Sequence, residues 1–264
     1  MAFSPASSSP AELRALIREG KWAAPTSGAA NGFIQANLAV LPKELAFDFL
    51  LFCQRNPKSC PLIDVTDMGS FTPALSAPSA DLRTDLPKYR IYRNGELAEE
   101  RDEVRDLWTE DMVGFLIGCS FTFEEALIAN GIPMRHNEEG CNVPMFRTSI
   151  PTVKAGGFEG PTVVSMRPIK EEDVVRAVQV TSRFPDVHGA PVQIGNPGKI
   201  GITDLNRPDF GDAVTIRDGE VPVFWACGVT PQAVAMHVKP ELMITHAPGH
   251  MFITDLKSAR ISVI

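Results

Sequence analysis

The alternation of apolar and polar positions divides the chain into short strands and helices. Residues 221–225 are apolar, β-branched or aromatic, which predicts a buried strand. Apolar residues recur at helical spacing over 42–55 and again, after an acidic first turn, over 171–184, so both segments are predicted helices. Strand-like residues flank Asn94-Gly95, the dipeptide that most strongly indicates a two-residue hairpin.

Two of the predicted strands run into turns that contain both a thiol and a glycine. The first passes through Cys119 and Ser120 into a helix, and the second passes through Cys227 and Gly228 into a helix that Thr230 caps. A helix N-terminus presents free backbone N–H groups and partial positive charge, which suit a carboxylate or an oxyanion. The same position lowers the pKa of a thiol. The alternative interpretation is two buried structural cysteines.

Histidines and arginines in turns supply the remaining candidate chemistry. The motif HAPGH contains His246 and His250, but the Pro-Gly between them rules out a shared helical face of the zinc-protease type. On a loop they can act as an acid and base pair or, with Asp255, as metal ligands. No third strong ligand is fixed by the sequence, so no metal is predicted. Arg83 lies between two aspartates, which indicates either a surface ion pair or a clamp for a substrate carboxylate, and Arg167 is a second candidate clamp.

Composition narrows the functional classes. The chain has 264 residues, of which 44% are hydrophobic and 22% charged, as expected for a soluble globular protein. The net charge of -7 argues against nucleic-acid binding, and no apolar run is long enough for a membrane span. Five cysteines without CxxC spacing, and an N-terminus unlike a signal peptide, predict a cytoplasmic protein with reduced thiols. No phosphate loop or dinucleotide fingerprint is present, and no cofactor is predicted.

The order of the predicted elements indicates two domains. Residues 133–220 have two strand-like runs followed by a helix, the pattern of a small α+β domain. This segment interrupts an α/β domain, so residues 1–132 together with 221–264 are predicted to form the main domain. The 22 prolines and 20 glycines predict many fixed turns and therefore a loop-rich α/β protein.

A series of motifs covers nearly the whole chain and resembles one known family. The motifs are QANLAVLP, DFLLFCQRNPKSCPL, RTDLPKYRIY, FLIGCSFTFEEAL, TVVSMRP, FPDVHGAPV, PVFWACGVTPQ and THAPGHMFITD. Their sequence and order resemble the hydro-lyase family whose vertebrate relative is D-glutamate cyclase. The resemblance implies a three-layer α/β main domain with a smaller two-layer α+β domain, and dehydration of D-glutamate to 5-oxo-D-proline. It does not assign catalytic residues.

The residues and the resemblance together predict a hydro-lyase acting on a small acidic amino acid. The predicted catalytic residues are Cys119, Cys227, His246 and His250, and the predicted substrate-binding residues are Arg83, Ser120, Arg167, Gly228 and Thr230. Two alternatives stay open: a cofactor-independent amino-acid racemase that uses the cysteine pair, and a non-catalytic protein that binds 5-oxoproline or an acidic amino acid. A homo-oligomer is also left open. The hydro-lyase requires the two cysteine turns and the HAPGH loop to surround one cleft.

Overall fold

The computed structural model describes residues 4–263 as a mixture of helices and antiparallel strands. The α-helices are α1 (Pro10–Arg18), α2 (Lys43–Arg55), α3 (Phe121–Ala129), α4 (Arg135–Glu139), α5 (Val174–Ser182) and α6 (Thr230–Val238). The strands are β1 (Phe33–Pro42), β2 (Leu62–Val65), β3 (Tyr89–Arg93), β4 (Glu96–Arg101), β5 (Met112–Gly118), β6 (Met145–Pro151), β7 (Pro161–Lys170), β8 (Gln193–Ile194), β9 (Glu220–Ala226), β10 (Met243–His246) and β11 (Phe252–Lys257). The predicted α/β class is confirmed, and the strands form two sheets.

The larger sheet has seven strands and is built around β1. Its order is β2-β5-β1-β10-β3-β4, and β11 also pairs with β1. One edge of β1 pairs with β5 along seven residues, from Ala36 opposite Gly118 to Pro42 opposite Met112. The other edge is shared, because β11 pairs with the first half of β1 and β10 pairs with Ala39 and Val40. The HAPGH loop therefore crosses beside β1 where β10 and β11 part.

The smaller sheet has four strands in the order β6-β7-β9-β8. Strand β9 pairs with β7 along seven residues. The segment 221–225, predicted as a strand of the main domain, therefore lies in the sheet that contains the strands of residues 133–220. The division of the chain into two domains stays a prediction.

The core fills both faces of the larger sheet and the space between the sheets. Helix α2 buries Phe49 and Phe52 against one face. A second cluster, which includes Leu82 and Leu86, covers the opposite face. A third cluster packs Trp225 of β9 among residues of α3 and α5, so this helix pair joins the two sheets. No helix within residues 4–263 combines the length and apolar composition needed to cross a membrane.

Candidate active site at the junction of the two sheets

The two cysteine turns meet where the larger sheet borders the smaller one. Strand β5 of the larger sheet ends in the Cys119 turn, and β9 of the smaller sheet ends in the Cys227 turn. Both cysteines belong to one buried cluster that also contains Phe121 of α3 and Met251, the residue after the HAPGH motif. The structure thus brings together segments that lie more than a hundred residues apart in the chain.

The side chain of Asn37 connects the two turns. Its Nδ2 donates hydrogen bonds to the carbonyl oxygens of Ile117 and Gly118, at 3.1 and 2.8 Å. The same amide lies against Gly228, where an added Cβ would come within 1.9 Å of Nδ2. The Cys227 turn can therefore approach the Cys119 turn this closely only because residue 228 has no side chain.

Each turn contains a buried backbone N–H group without an acceptor. The N–H groups of Cys119 and Cys227 donate to the carbonyls of Gln35 and Val163. The next N–H group in each turn, that of Ser120 or Gly228, has no acceptor within the described residues 4–263. Both residues are buried, and each lies at the N-terminal end of a helix, where an anion is favoured. A carboxylate or an oxyanion is an acceptor of the kind that each group can bind.

The two thiols do not have the lowered pKa that their helix-end position suggested. Cys119 and Cys227 are 6% and 7% exposed. Burial raises the pKa of Cys227 to about 11 and raises the pKa of Cys119 further, while the nearby N–H groups of Val229 and Phe121 lower these pKa values less. The expectation of a lowered pKa is wrong because removing the thiols from water outweighs the N–H contacts.

Arg167 lies in the interior beside the Cys119 turn. Its Nη2 donates to Ser120 Oγ at 3.0 Å, and its Nη1 donates to Ser165 Oγ at 3.0 Å. Its Nε and Nη2 both donate to Oε1 of Glu124, so the charge of this buried guanidinium is already balanced by a carboxylate. Two predicted binding residues, Ser120 and Arg167, are therefore in direct contact, and Arg167 holds the turn in place.

Glu124 and His136 complete this polar cluster and were not among the predicted site residues. His136 Nε2 lies 3.2 Å from Glu124 Oε1, and both side chains are almost fully buried. Burial would raise the pKa of Glu124, but the His136 ring and the Arg167 guanidinium lower it to about 2. From its position in the first turn of α3, Glu124 is expected only to stabilise the N-terminus of that helix. His136 lies on the five-residue helix α4, and no local pattern indicates its partner.

Thr230 and His246 have clear structural contacts. Thr230 Oγ1 donates to the Cys227 carbonyl at 2.7 Å and accepts from Val163 N–H, so it fixes the shape of the Cys227 turn. His246 Nδ1 lies 3.2 Å from both the backbone nitrogen and the carbonyl oxygen of Leu38, at the part of β1 where β10 and β11 separate. Burial lowers the pKa of His246 to about 3, so this histidine is neutral near pH 7.

His250 and Arg83 lie outside the polar cluster. His250 lines an open groove of about 450 Å³ that also includes Asn142 and Phe210, and Phe210 packs against the cluster of the two thiols. Burial lowers the pKa of His250. Arg83 is bound by Asp81 and covers the ring of Phe71, as expected for a local ion pair. No three of the described His, Cys, Asp or Glu residues lie close enough together to hold a metal ion.

Comparisons with known proteins establish the family. Residues 113–255 match the family model described as D-glutamate cyclase. The chain is 71% identical over 253 residues to a protein of Geobacillus kaustophilus, with 96% of each chain covered. It is 66% identical over 255 residues to a protein of Bacillus subtilis, with 97% of this chain and 99% of the other covered. Both relatives carry the name "Putative hydro-lyase". The chain belongs to the D-glutamate cyclase family of hydro-lyases, which confirms the resemblance found in its motifs.

Proposed function

We propose that this protein cyclises D-glutamate to 5-oxo-D-proline with loss of water. The observation that carries the proposal is the pair of buried, unpaired N–H groups of Ser120 and Gly228, where two helix N-termini meet. Ring closure converts the γ-carboxylate into a tetrahedral species with an oxyanion, and two donors aimed at that oxygen stabilise it. Family membership supports the same chemistry.

The reaction needs the substrate folded so that its nitrogen faces its own γ-carbon. The C–N bond then forms within one molecule, which removes much of the entropic cost of bringing the two groups together. Two hydrogens leave the nitrogen, a C–O bond breaks, and the departing oxygen takes up both hydrogens as water. Cys119 and Cys227, as neutral thiols, enclose the reacting carbon and exclude bulk water. Arg167 acts through Ser120 and keeps that N–H group in position.

The proton acceptor for the ammonium group is one of two histidines. His136 contacts Glu124 inside the polar cluster, whereas His250 lines the neighbouring groove. Replacing each histidine by glutamine in turn identifies the proton acceptor, because turnover of D-glutamate is lost only when that histidine is replaced. His246 is the third histidine near the site, and its contacts with Leu38 give it a structural role.

Ser120→Pro tests the oxyanion site directly. Ser120 has φ of -61°, which proline adopts, so the substitution removes the N–H group with little change in backbone angle. We expect kcat/KM for D-glutamate to fall by about a hundredfold to a thousandfold, measured as formation of 5-oxoproline. Ser120→Ala is the matched control, since it removes only the hydroxyl that accepts from Arg167. Equal losses in the two variants would contradict the oxyanion role of the N–H group.

A racemase is the second candidate, because Cys119 and Cys227 pack in the same cluster. A two-thiol racemase needs one cysteine as a thiolate, and the raised pKa of both thiols opposes this. Incubation in heavy water distinguishes the two reactions. Deuterium at the α-carbon of recovered glutamate would indicate racemisation, and 5-oxoproline formed without such exchange would indicate cyclisation. Binding of D-glutamate without either product would indicate a binding protein.

A further inference from the structure

A small cavity that opens to the surface lies beside the Cys119 turn, between the first turns of α3 and the loop that precedes β1. Its volume is about 100 Å³. Its walls include Gln35 of β1, and Phe121, Thr122 and Glu124 of α3. Phe121 also belongs to the cluster of the two thiols, and the Gln35 carbonyl accepts the N–H of Cys119 at 3.1 Å. The cavity is therefore adjacent to the proposed oxyanion site.

The amide group of Gln35 leaves an unpaired acceptor in this region. Its Nε2 donates to the carbonyl oxygens of Thr26 and Ala29, at 2.8 and 3.1 Å. These two carbonyls can only accept, so they fix the orientation of the amide and identify the other terminal atom as Oε1. Oε1 is buried and has no donor within residues 4–263, and the residue as a whole is 3% exposed. A buried carbonyl oxygen of this kind requires a donor.

Glu124 adds a second acceptor to the same cavity wall, and its charge is shared with Arg167. Its pKa of about 2 means that it is ionised at neutral pH. Oε1 of Glu124 accepts from Arg167, while Oε2 accepts from Ser27 at 3.0 Å and lies 3.3 Å from His136 Nε2. The residues that line this cavity thus supply an unpaired amide oxygen and a carboxylate, which are acceptors suited to a compact group with several N–H donors.

We propose that Gln35 Oε1 and the Glu124 carboxylate form the subsite that binds the α-ammonium group of the substrate. The proposal rests on the proposed cyclisation. Gln35 and Asn37 are two positions apart on β1, so their side chains project from the same face, about 7 Å apart. Asn37 joins the turns with the unpaired N–H groups, so a bound glutamate has its ammonium near Gln35 and its γ-carboxylate near Ser120 and Gly228. His136 contacts Glu124 and therefore lies beside this subsite.

The test compares binding of D-glutamate with binding of glutarate, which has both carboxylates and no amino group. Wild type should bind D-glutamate more tightly than glutarate in calorimetry. Gln35→Met removes the acceptor, and we expect it to weaken D-glutamate binding by about tenfold or more while glutarate binding is unchanged. Gln35→Glu keeps an acceptor at this position and should keep the preference for D-glutamate.

Thr26→Val is the control for loosening of the loop. It removes the hydroxyl that bonds to Gly249 and Met251 but leaves Gln35 Oε1 in place, so it should lower thermal stability and keep the preference. Ammonium chloride gives a measurement that needs no variant. It should weaken D-glutamate binding to wild type and leave glutarate binding unchanged. Tetramethylammonium chloride, which has no N–H donor, should leave the binding of both ligands unchanged.

The outcomes separate this inference from the proposed function. If wild type forms 5-oxoproline and Gln35→Met keeps the full preference for D-glutamate, the cavity holds only water and the subsite is wrong, while the cyclisation stands. If wild type binds D-glutamate no more tightly than glutarate, the subsite is also wrong. If the preference depends on Gln35 but no 5-oxoproline forms, the subsite stands and the cyclisation fails.

Discussion

Gly228 shows how a single residue determines the spacing of the two turns. A Cβ at this position would lie 1.9 Å from Asn37 Nδ2 and 2.2 Å from its Cγ. Real contacts are never this short, so any side chain at 228 must displace Asn37. Displacement of Asn37 in turn breaks its hydrogen bonds to the Ile117 and Gly118 carbonyls, which precede Cys119. The spacing of the unpaired N–H groups therefore depends on this one glycine.

Gly228→Ala should lower both stability and turnover. Overpacking of a buried contact costs about 1–3 kcal/mol in the free energy of unfolding, which denaturant titration measures. The clash is with the side chain of Asn37, so the same substitution should cost less in an Asn37→Ala background. The two changes should thus be non-additive. Simple additivity would mean that Gly228 acts independently of Asn37.

Some of the site residues could be predicted from local sequence, and others could not. The two cysteine turns were recognisable from local sequence, whereas the backbone carbonyls that accept from the amides of Gln35 and Asn37 lie in other segments of the chain. The raised pKa of the thiols depends on burial, which composition does not reveal. Contact between Glu124 and His136 depends on the packing of α4 beside α3, which is not a local property of the sequence.

Individual elements follow the local pattern closely, but their partners do not. The predicted hairpin is confirmed, with Asn94 and Gly95 at φ of 50° and 81° between β3 and β4. The helix predicted over 42–55 is α2. The helix predicted over 171–184 begins as a 3-10 turn at Glu171–Asp173 before α5. Hydrophobic periodicity identifies a strand but not the sheet to which it belongs. Strand β9 is an example, because its pairing with β7 depends on contacts between segments that are distant in sequence.

Helix α1 depends on a buried carboxylate for its position. Asp85 is fully buried and accepts a bidentate pair of hydrogen bonds from Arg18 of α1, at 2.8 and 2.6 Å. Asp85→Asn removes this charge. Breaking a buried pair costs about 3–5 kcal/mol. We expect Asp85→Asn to lower the free energy of unfolding by an amount at the low end of this range, because Arg18 is 42% exposed.

Asp81→Asn is the matched control at this loop. Asp81 pairs with Arg83, and both side chains keep partial access to water, so the loss should stay within about 1 kcal/mol. Equal losses at Asp81 and Asp85 would contradict the assignment of Asp85 as the anchor of α1.

At the scale of the whole molecule, buried neutral histidines make stability depend on pH. His246 and His188 are both fully buried, and burial lowers their pKa values to about 3 and about 4. In the unfolded chain a histidine takes up a proton below about pH 6.5. Between the lowered pKa of each folded-state histidine and the ordinary pKa in the unfolded chain, the unfolded state binds more protons. The free energy of unfolding therefore falls as the pH falls through this interval. Glu124, with its pKa of about 2 in the folded protein, adds a further loss only at lower pH, below the ordinary glutamate pKa.

His246→Gln should flatten this dependence. Each buried histidine contributes up to about 1.4 kcal/mol per pH unit between roughly pH 4.5 and 6, and denaturant titrations across that interval measure the slope. In the variant, the free energy of unfolding should change less steeply with pH, by the contribution of one histidine. This holds even if the variant is less stable at pH 7 because Leu38 loses its contact with Nδ1. His237→Gln, at an exposed position of α6, should leave the slope unchanged. An unchanged slope in His246→Gln would mean that His246 takes up a proton in the folded protein, which would restore it as a candidate for proton transfer.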